Sequence, residues 1–136
     1  MANVFPKQVK KEIIDDWINN ETWKVALLDS GFTYDHTTDI LYTDVSGDEV
    51  AASGTYVAGG ATLAGRAGAY SGQDYYLDAT DTQWTGATFV NVRYIVVYET
   101  AASKIRFIFD LGGTYSCTNS TFTIVWNASG LVILTS

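Results

Sequence analysis

The sequence predicts a mainly β protein: a single antiparallel β-sandwich or flattened barrel of about seven to eight strands, carrying one N-terminal helix. Three observations predict it. Short apolar stretches recur along the chain with turn residues between them at regular spacing. Only residues 6–19 carry a sustained helical period. The stretch Ala87 to Tyr98 reads as a central strand, because its even positions Val90, Val92, Tyr94, Val96 and Tyr98 put one apolar row on a single face. Phe89, Ile95 and Val97 make much of its other face apolar too, as in a strand covered on both sides, with Asn91 and Arg93 the exceptions.

Taken in order, the chain opens with a helix over 6–19 followed by a β unit over 22–136. Pro6 suits a first helical position, and Val9, Ile13, Ile14, Trp17 and Ile18 fall on one stripe. Lysines in its first turns and Asp15 and Asp16 near its end oppose the helix dipole, so packing must hold it. The stripe either covers an open end of the β unit or docks on a neighbouring subunit. Trp23 to Leu28 is a first strand, apolar on both faces except for Lys24, and Asp29-Ser30-Gly31 ends it.

From Gly31 to Gly54 runs a polar, acidic connection with room for one helical turn near Thr38 to Val45. Thr55 to Gly72, rich in Gly and Ala, reads as two short strands at a sheet edge or bend, where missing side chains let backbones approach closely. Asp74 to Trp84 alternates weakly. Beyond the central strand, Thr100 to Ser103 turns into an alternating strand, Lys104 to Leu111. Gly112-Gly113 then reads as a turn, followed by Thr121 to Trp126 and a last strand, Leu131 to Thr135. The C-terminal half is thus expected to be an antiparallel meander.

Composition narrows the function. The chain has 136 residues, 47% hydrophobic and 17% charged, which suits a packed single domain rather than disorder. A net charge of −7 opposes binding to a nucleic-acid backbone, which needs clustered Lys and Arg. One cysteine, Cys117, leaves no internal disulfide. No export signal and no membrane-spanning run is read, because the N-terminal lysines are followed by an amphipathic, acid-bearing segment.

No residue set predicts catalysis, a metal or a cofactor. His36, the single histidine, sits in the loosest part of the chain and reads as a solvated loop residue. Nine acids and one base, Arg66, lie between Asp29 and Asp81. That block, with Asp35, Asp39 and Asp44, is a solvated surface, a collection of carboxylates for Ca²⁺, or a contact face for a basic partner; the spacing lacks the ligand order of a calcium loop. Tyr70, Tyr75, Tyr76 and Trp84 are either core and rim of the sandwich, a sugar-stacking platform or an intersubunit contact. The candidate partner contacts are therefore Trp17, Asp35, Asp39, Asp44, Tyr75, Tyr76 and Trp84.

Several ordered segments carry a resemblance. They are Trp23-Lys-Val-Ala-Leu-Leu-Asp-Ser30, an acidic loop ending Asp48-Glu-Val50, Gly54-Thr-Tyr-Val-Ala-Gly-Gly60, and Asp81-Thr-Gln-Trp-Thr-Gly-Ala-Thr-Phe89. Arg93-Tyr-Ile-Val-Val-Tyr98, Phe109-Asp-Leu-Gly-Gly113 and Phe122-Thr-Ile-Val-Trp126 continue it. Together they resemble small virion structural proteins of tailed double-stranded DNA bacteriophages. That resemblance implies a non-enzymatic capsid decoration, or cement, protein made in the bacterial cytoplasm. It would bind the major capsid protein or other virion proteins at the capsid surface and self-associate as a homo-oligomer. A neck or tail component, or a carbohydrate-binding β-sandwich, are the alternatives. The resemblance supplies no functional residues.

Overall fold

A computed structural model describes residues 5–127 and 130–134. The helix α1 spans Lys7–Asn20, with Pro6 as the residue that caps it rather than its first turn. It has no acid in its first turn and no base in its last, so its stability comes from docking on the β unit. Ile14 is fully buried and Trp17 and Ile18 pack on the core, but Val9 is exposed. Lys10 takes the buried place beside Ile14, its ammonium donating to the carbonyl of Gln73 (2.5 Å). Between covering the β unit and reaching a neighbour, this helix covers.

Seven strands follow among the described residues: β1 (Trp23–Asp29), β2 (Ala61–Thr62), β3 (Ala67–Ser71), β4 (Asp74–Asp78), β5 (Thr82–Glu99), β6 (Ile105–Ile124) and β7 (Val132–Leu134). They form two antiparallel sheets, β2-β1-β5-β6 and β3-β4-β7, in a β-sandwich-like arrangement. One core lies between the sheets and α1, where Trp23, Val25, Leu27, Ile95 and Val97 meet Tyr75, Leu77, Trp84, Ile124 and Ile14. A second, smaller cluster sits on the opposite face of β1 and β5. There Phe32 and Val45, from the connection after β1, cover Ala26, Leu28, Val96 and Tyr98.

The central strand is β5, but its even positions do not form one row. Gly86 and Asn91 adopt left-handed φ (62° and 59°), and the pairing register with β6 slips around each. The slips at Gly86 and Asn91, and a further one between Val92 and Tyr94, each reverse which parity faces the core. The inward residues are accordingly Trp84, then Ala87 and Phe89, then Val92, then Ile95 and Val97, while Val90 is 64% exposed. The two polar exceptions have partners. Ser30 N–H donates to Asn91 O (2.8 Å), Asn91 N–H donates to Ser116 Oγ (3.0 Å), and Arg93 makes a two-pronged ion pair with Asp110 (3.1 and 3.2 Å).

Two further expectations are corrected. Gly112-Gly113 does not turn the chain: Gly112 (φ 78°) bulges inside β6, which runs on through the segment read as a separate strand and ends at Ile124. The last strand does not continue a meander, because β7 leaves β6 and pairs with β4, Tyr76 opposite Ile133. Thr135 and the turn residues Ala128 and Ser129 lie outside the described residues.

The connection between β1 and β2 contains one helical turn, α2 (Tyr42–Val45), and is locked down by Glu49. The Tyr56 hydroxyl and the Gly59 N–H both donate to Glu49 Oε1 (2.7 and 2.8 Å), and the Tyr42 hydroxyl donates to the other oxygen. Leu27 N–H in turn donates to the Tyr56 hydroxyl oxygen (2.9 Å), and the Tyr98 hydroxyl donates to Gly59 O (2.6 Å). Burial, and secondly the neighbouring Glu49 carboxylate, push the Tyr42 and Tyr56 hydroxyls far above their ordinary pKa, so both remain protonated donors. Gly60 shows why this segment is glycine-rich: at φ 80°, a Cβ there would sit 1.8 Å from the carbonyl oxygen of Val25.

Candidate functional site

An open cleft of about 610 Å³ lies between the acidic connection and the first half of β6. Such a volume is within the range of ligand and peptide clefts. Tyr94 of β5 and Ile105, Phe107 and Ile108 of β6 form its apolar part, and Tyr34, Asp39 and Ile40 form the opposite lip. Tyr34 and Ile40 are 54% and 58% exposed, although both are large and hydrophobic.

Hydrogen bonds of the connection to itself and to β6 hold the lip in place. Asp35 accepts from the Thr37 N–H (2.9 Å) and hydroxyl (2.6 Å), and these bonds hold its carboxyl below the usual carboxylate range. Asp39 accepts from the Asp35 N–H (2.7 Å). Asp44 accepts from the N–H groups of Ile40 (3.1 Å) and Leu41 (2.8 Å) at the head of α2. Ile105 N–H donates to Ile40 O (2.9 Å) and Tyr42 N–H to Ser103 O (2.8 Å), which staples the lip to the β5–β6 turn. The three acids singled out in the sequence therefore shape one lip, and Asp39 lines the cleft itself.

The field in the cleft is negative. Arg106 is engaged by Glu21 (3.0 Å from Nε), and Arg93, beside the cleft, by Asp110. Among the described residues, neither Asp35 nor Asp39 has a cation within ion-pair distance. An apolar floor with an acidic lip is suited to a segment that offers aliphatic or aromatic side chains next to Lys or Arg.

The aromatic candidates lie elsewhere and inside. Trp17 packs against Trp23 and Phe107, with ring centroids 5.5 and 5.8 Å away. Trp84 is buried against Tyr56 (5.3 Å). Tyr75 is buried on β4 and its hydroxyl donates to Asp15 of α1 (2.9 Å), while Tyr76 is half-buried on the other face of β4. These residues are core and rim of the fold, and no stacking platform assembles from Tyr70 to Trp84. A partner meeting the folded chain does not reach Tyr75 or Trp84.

Tyr34, Ile40 and Tyr94 were not singled out in the sequence as contacts. The legible signal was Tyr34 and Ile40 standing as large apolar residues in an otherwise polar, acidic run. His36 is exposed beside Tyr34 (6.5 Å between ring centroids). The Cys117 thiol, half-buried, donates to Ala87 O (3.3 Å). Among the described residues, no three His, Cys, Asp or Glu side chains gather closely enough to hold a metal ion. Among them, too, no helix is long and apolar enough to cross a membrane. Compared with protein-family models, curated proteins and solved structures, the chain matches none.

Proposed function

We propose that this chain is a non-enzymatic structural protein of a tailed-phage particle that decorates the capsid by docking on the major capsid protein. The observation that carries the reading is the cleft, an apolar trough with an acidic lip, built for holding a protein segment. The segments that carry the family resemblance fit a framework role in such a module. Trp23–Ser30 contains β1, Asp48–Val50 and Gly54–Gly60 contribute Glu49, Tyr56 and Gly59 to the lock on the connection, and Arg93–Tyr98 is the covered half of β5. They hold a β scaffold in shape and leave the lip as the partner-facing part.

Binding of the purified chain to expanded capsids tests the proposal, with Ile40→Asp and Asp39→Lys as variants that remove an exposed apolar contact of the lip and reverse a lip charge. Wild-type binding that weakens with salt and falls at least tenfold in both variants is the expected result. Absence of binding by the folded wild-type chain, or binding equal in all three proteins, overturns it. Copy number per particle distinguishes a lattice-bound protein from a neck or tail component.

A further inference from the structure

The longest free edge in the protein belongs to β6. Its N-terminal end is met by Ile40 and Leu41, but among the described residues nothing pairs with the outer edge of β6 beyond that point. Bare edges of this length invite pairing, and proteins ordinarily guard them with lysine, proline or inward-pointing charge. None of these guards is present past Asp110. From Leu111 to Ser136 there is no Asp, Glu, Lys, Arg, His or Pro, and the paired stretch Thr82 to Val92 has none either. Two bulges do interrupt the edge, at Gly112 (φ 78°) and Asn119 (φ 43°). Between them Gly113 to Thr118 stays within the strand with no left-handed residue, the length of an ordinary strand, and the slip opposite it belongs to Asn91 of β5.

We propose that Thr114–Thr118 pairs antiparallel with the same run of a second copy of this chain, joining the two four-stranded sheets into one. Charge selects the occupant. Two chains of net charge −7 repel over most of their surfaces, and the neutral β6 edge is where they can approach without opposing charges to bury. A basic partner is drawn instead to the acidic lip at the other end of the hairpin. Antiparallel edge pairing is also self-complementary about a two-fold axis, as a closed dimer requires. Paired about Ser116, Thr114 of each copy faces Thr118 of the other; both are exposed and neither takes part in a described side-chain bond. Tyr115, 50% exposed, stands within the paired run and would lose water on assembly.

Sedimentation of the full chain over a concentration series reads this directly. The wild type should rise to twice its 14.8 kDa mass. A chain with Thr114→Lys and Thr118→Lys should stay at monomer mass with unchanged circular dichroism, because each lysine faces another across the seam. A Thr114→Glu and Thr118→Glu chain should also be monomeric, and mixing the two should restore a dimer; if the lysine pair disturbs folding, the glutamate pair alone carries the comparison with wild type. Thr62→Lys, on the short β2 edge, should leave the dimer intact. A wild type that is monomeric throughout, charged pairs that dimerise as well as wild type, or loss of the dimer in Thr62→Lys overturns the proposal. Capsid docking is read separately through Ile40 and Asp39, so failure of one reading is distinguishable from failure of the other.

Discussion

The two ends of the β5–β6 hairpin are built from the same two strands and differ in what covers them. At the turn end, Val92 to Glu99 has β1 along one edge, the main core against Ile95 and Val97, and Phe32 and Val45 over Val96 and Tyr98. At the open end, Trp84, Ala87 and Phe89 are buried, but Gln83, Thr85, Thr88 and Val90 face water, and no β1 residue pairs beyond Val92. The covered end carries the ion pairs and the acidic lip, whereas the open end carries no charge at all. One continuous hairpin thus serves as a fully covered framework at one end and as a neutral, less covered stretch at the other. The connection after β1 reaches that stretch through the Tyr56 ring and the Thr55 hydroxyl, which donates to Thr85 O (2.6 Å).

The sharpest way to break this contrast is one substitution at each end. Val96 is fully buried under Phe32 and Val45, so Val96→Asp places a carboxylate in an apolar cluster without a partner. A loss of about 4 kcal/mol or more is expected, a large share of the roughly 5–15 kcal/mol that holds a domain folded. Val90→Asp, on the outer face of the open end, should change stability by no more than about 0.5 kcal/mol. Urea titration followed by circular dichroism measures both; equal losses would mean that the open end is covered after all. Tyr94 is only half-buried at the cleft, so truncating it should cost less than Val96→Asp, contrary to its place in an unbroken even row.

Next in size is the lock that holds the cover in place. Glu49→Ala leaves the Tyr42 and Tyr56 hydroxyls and the Gly59 N–H without their shared acceptor, and roughly 2–3 kcal/mol should be lost. The effect should be concentrated at the turn end. Amide exchange should speed up most in the connection and in β1, where Leu27 N–H depends on Tyr56, and to a smaller extent around Trp84, which the Tyr56 ring touches. Uniform acceleration across both ends would show that the connection is not a separate cover.

How much of this was legible in the sequence follows from what each feature depends on. The helix, β1, the glycine-rich edge strands and the β5–β6 turn rest on local period and turn chemistry, and they fold close to where the residues place them. The parity of β5 was not legible, because Asn91 and Gly86 look like ordinary strand residues until a partner strand fixes the bulges. Gly112-Gly113 misled for the same reason, since two glycines signal a turn and a bulge equally. The β7–β4 pairing joins residues far apart in the chain, which no local pattern encodes. The cleft was half legible: Asp39 was named from charge, whereas Ile105 and Ile108 face Ile40 only because a distant loop folds back onto them.

The smallest effect expected is one of pH, and it again separates the ends. Glu99 is buried at the hairpin turn, where its carboxylate accepts from the N–H groups of Lys104 (3.0 Å), Ala101 (2.9 Å) and Ala102 (2.9 Å). Those backbone bonds, that of Lys104 foremost, hold its pKa below the ordinary 4.5 of a glutamate. A group depressed on folding adds stability at pH values above its unfolded pKa, and that stability drains away as the pH falls through the folded value. The contribution is therefore complete at neutral pH and is lost only below about 4.5. Glu99→Gln removes the titration but keeps an acceptor, so its urea midpoint should fall less steeply than that of the wild type as the pH drops below 4.5. Amides of the turn, 100–104, should be the ones whose exchange becomes insensitive to acid in the variant. The open end contains no Asp, Glu, His, Lys or Arg from Thr82 to Val92 or from Leu111 to Ile124. Its local stability should follow acid only through the shared core, and an acid response beginning there rather than at the turn would contradict the division between the two ends.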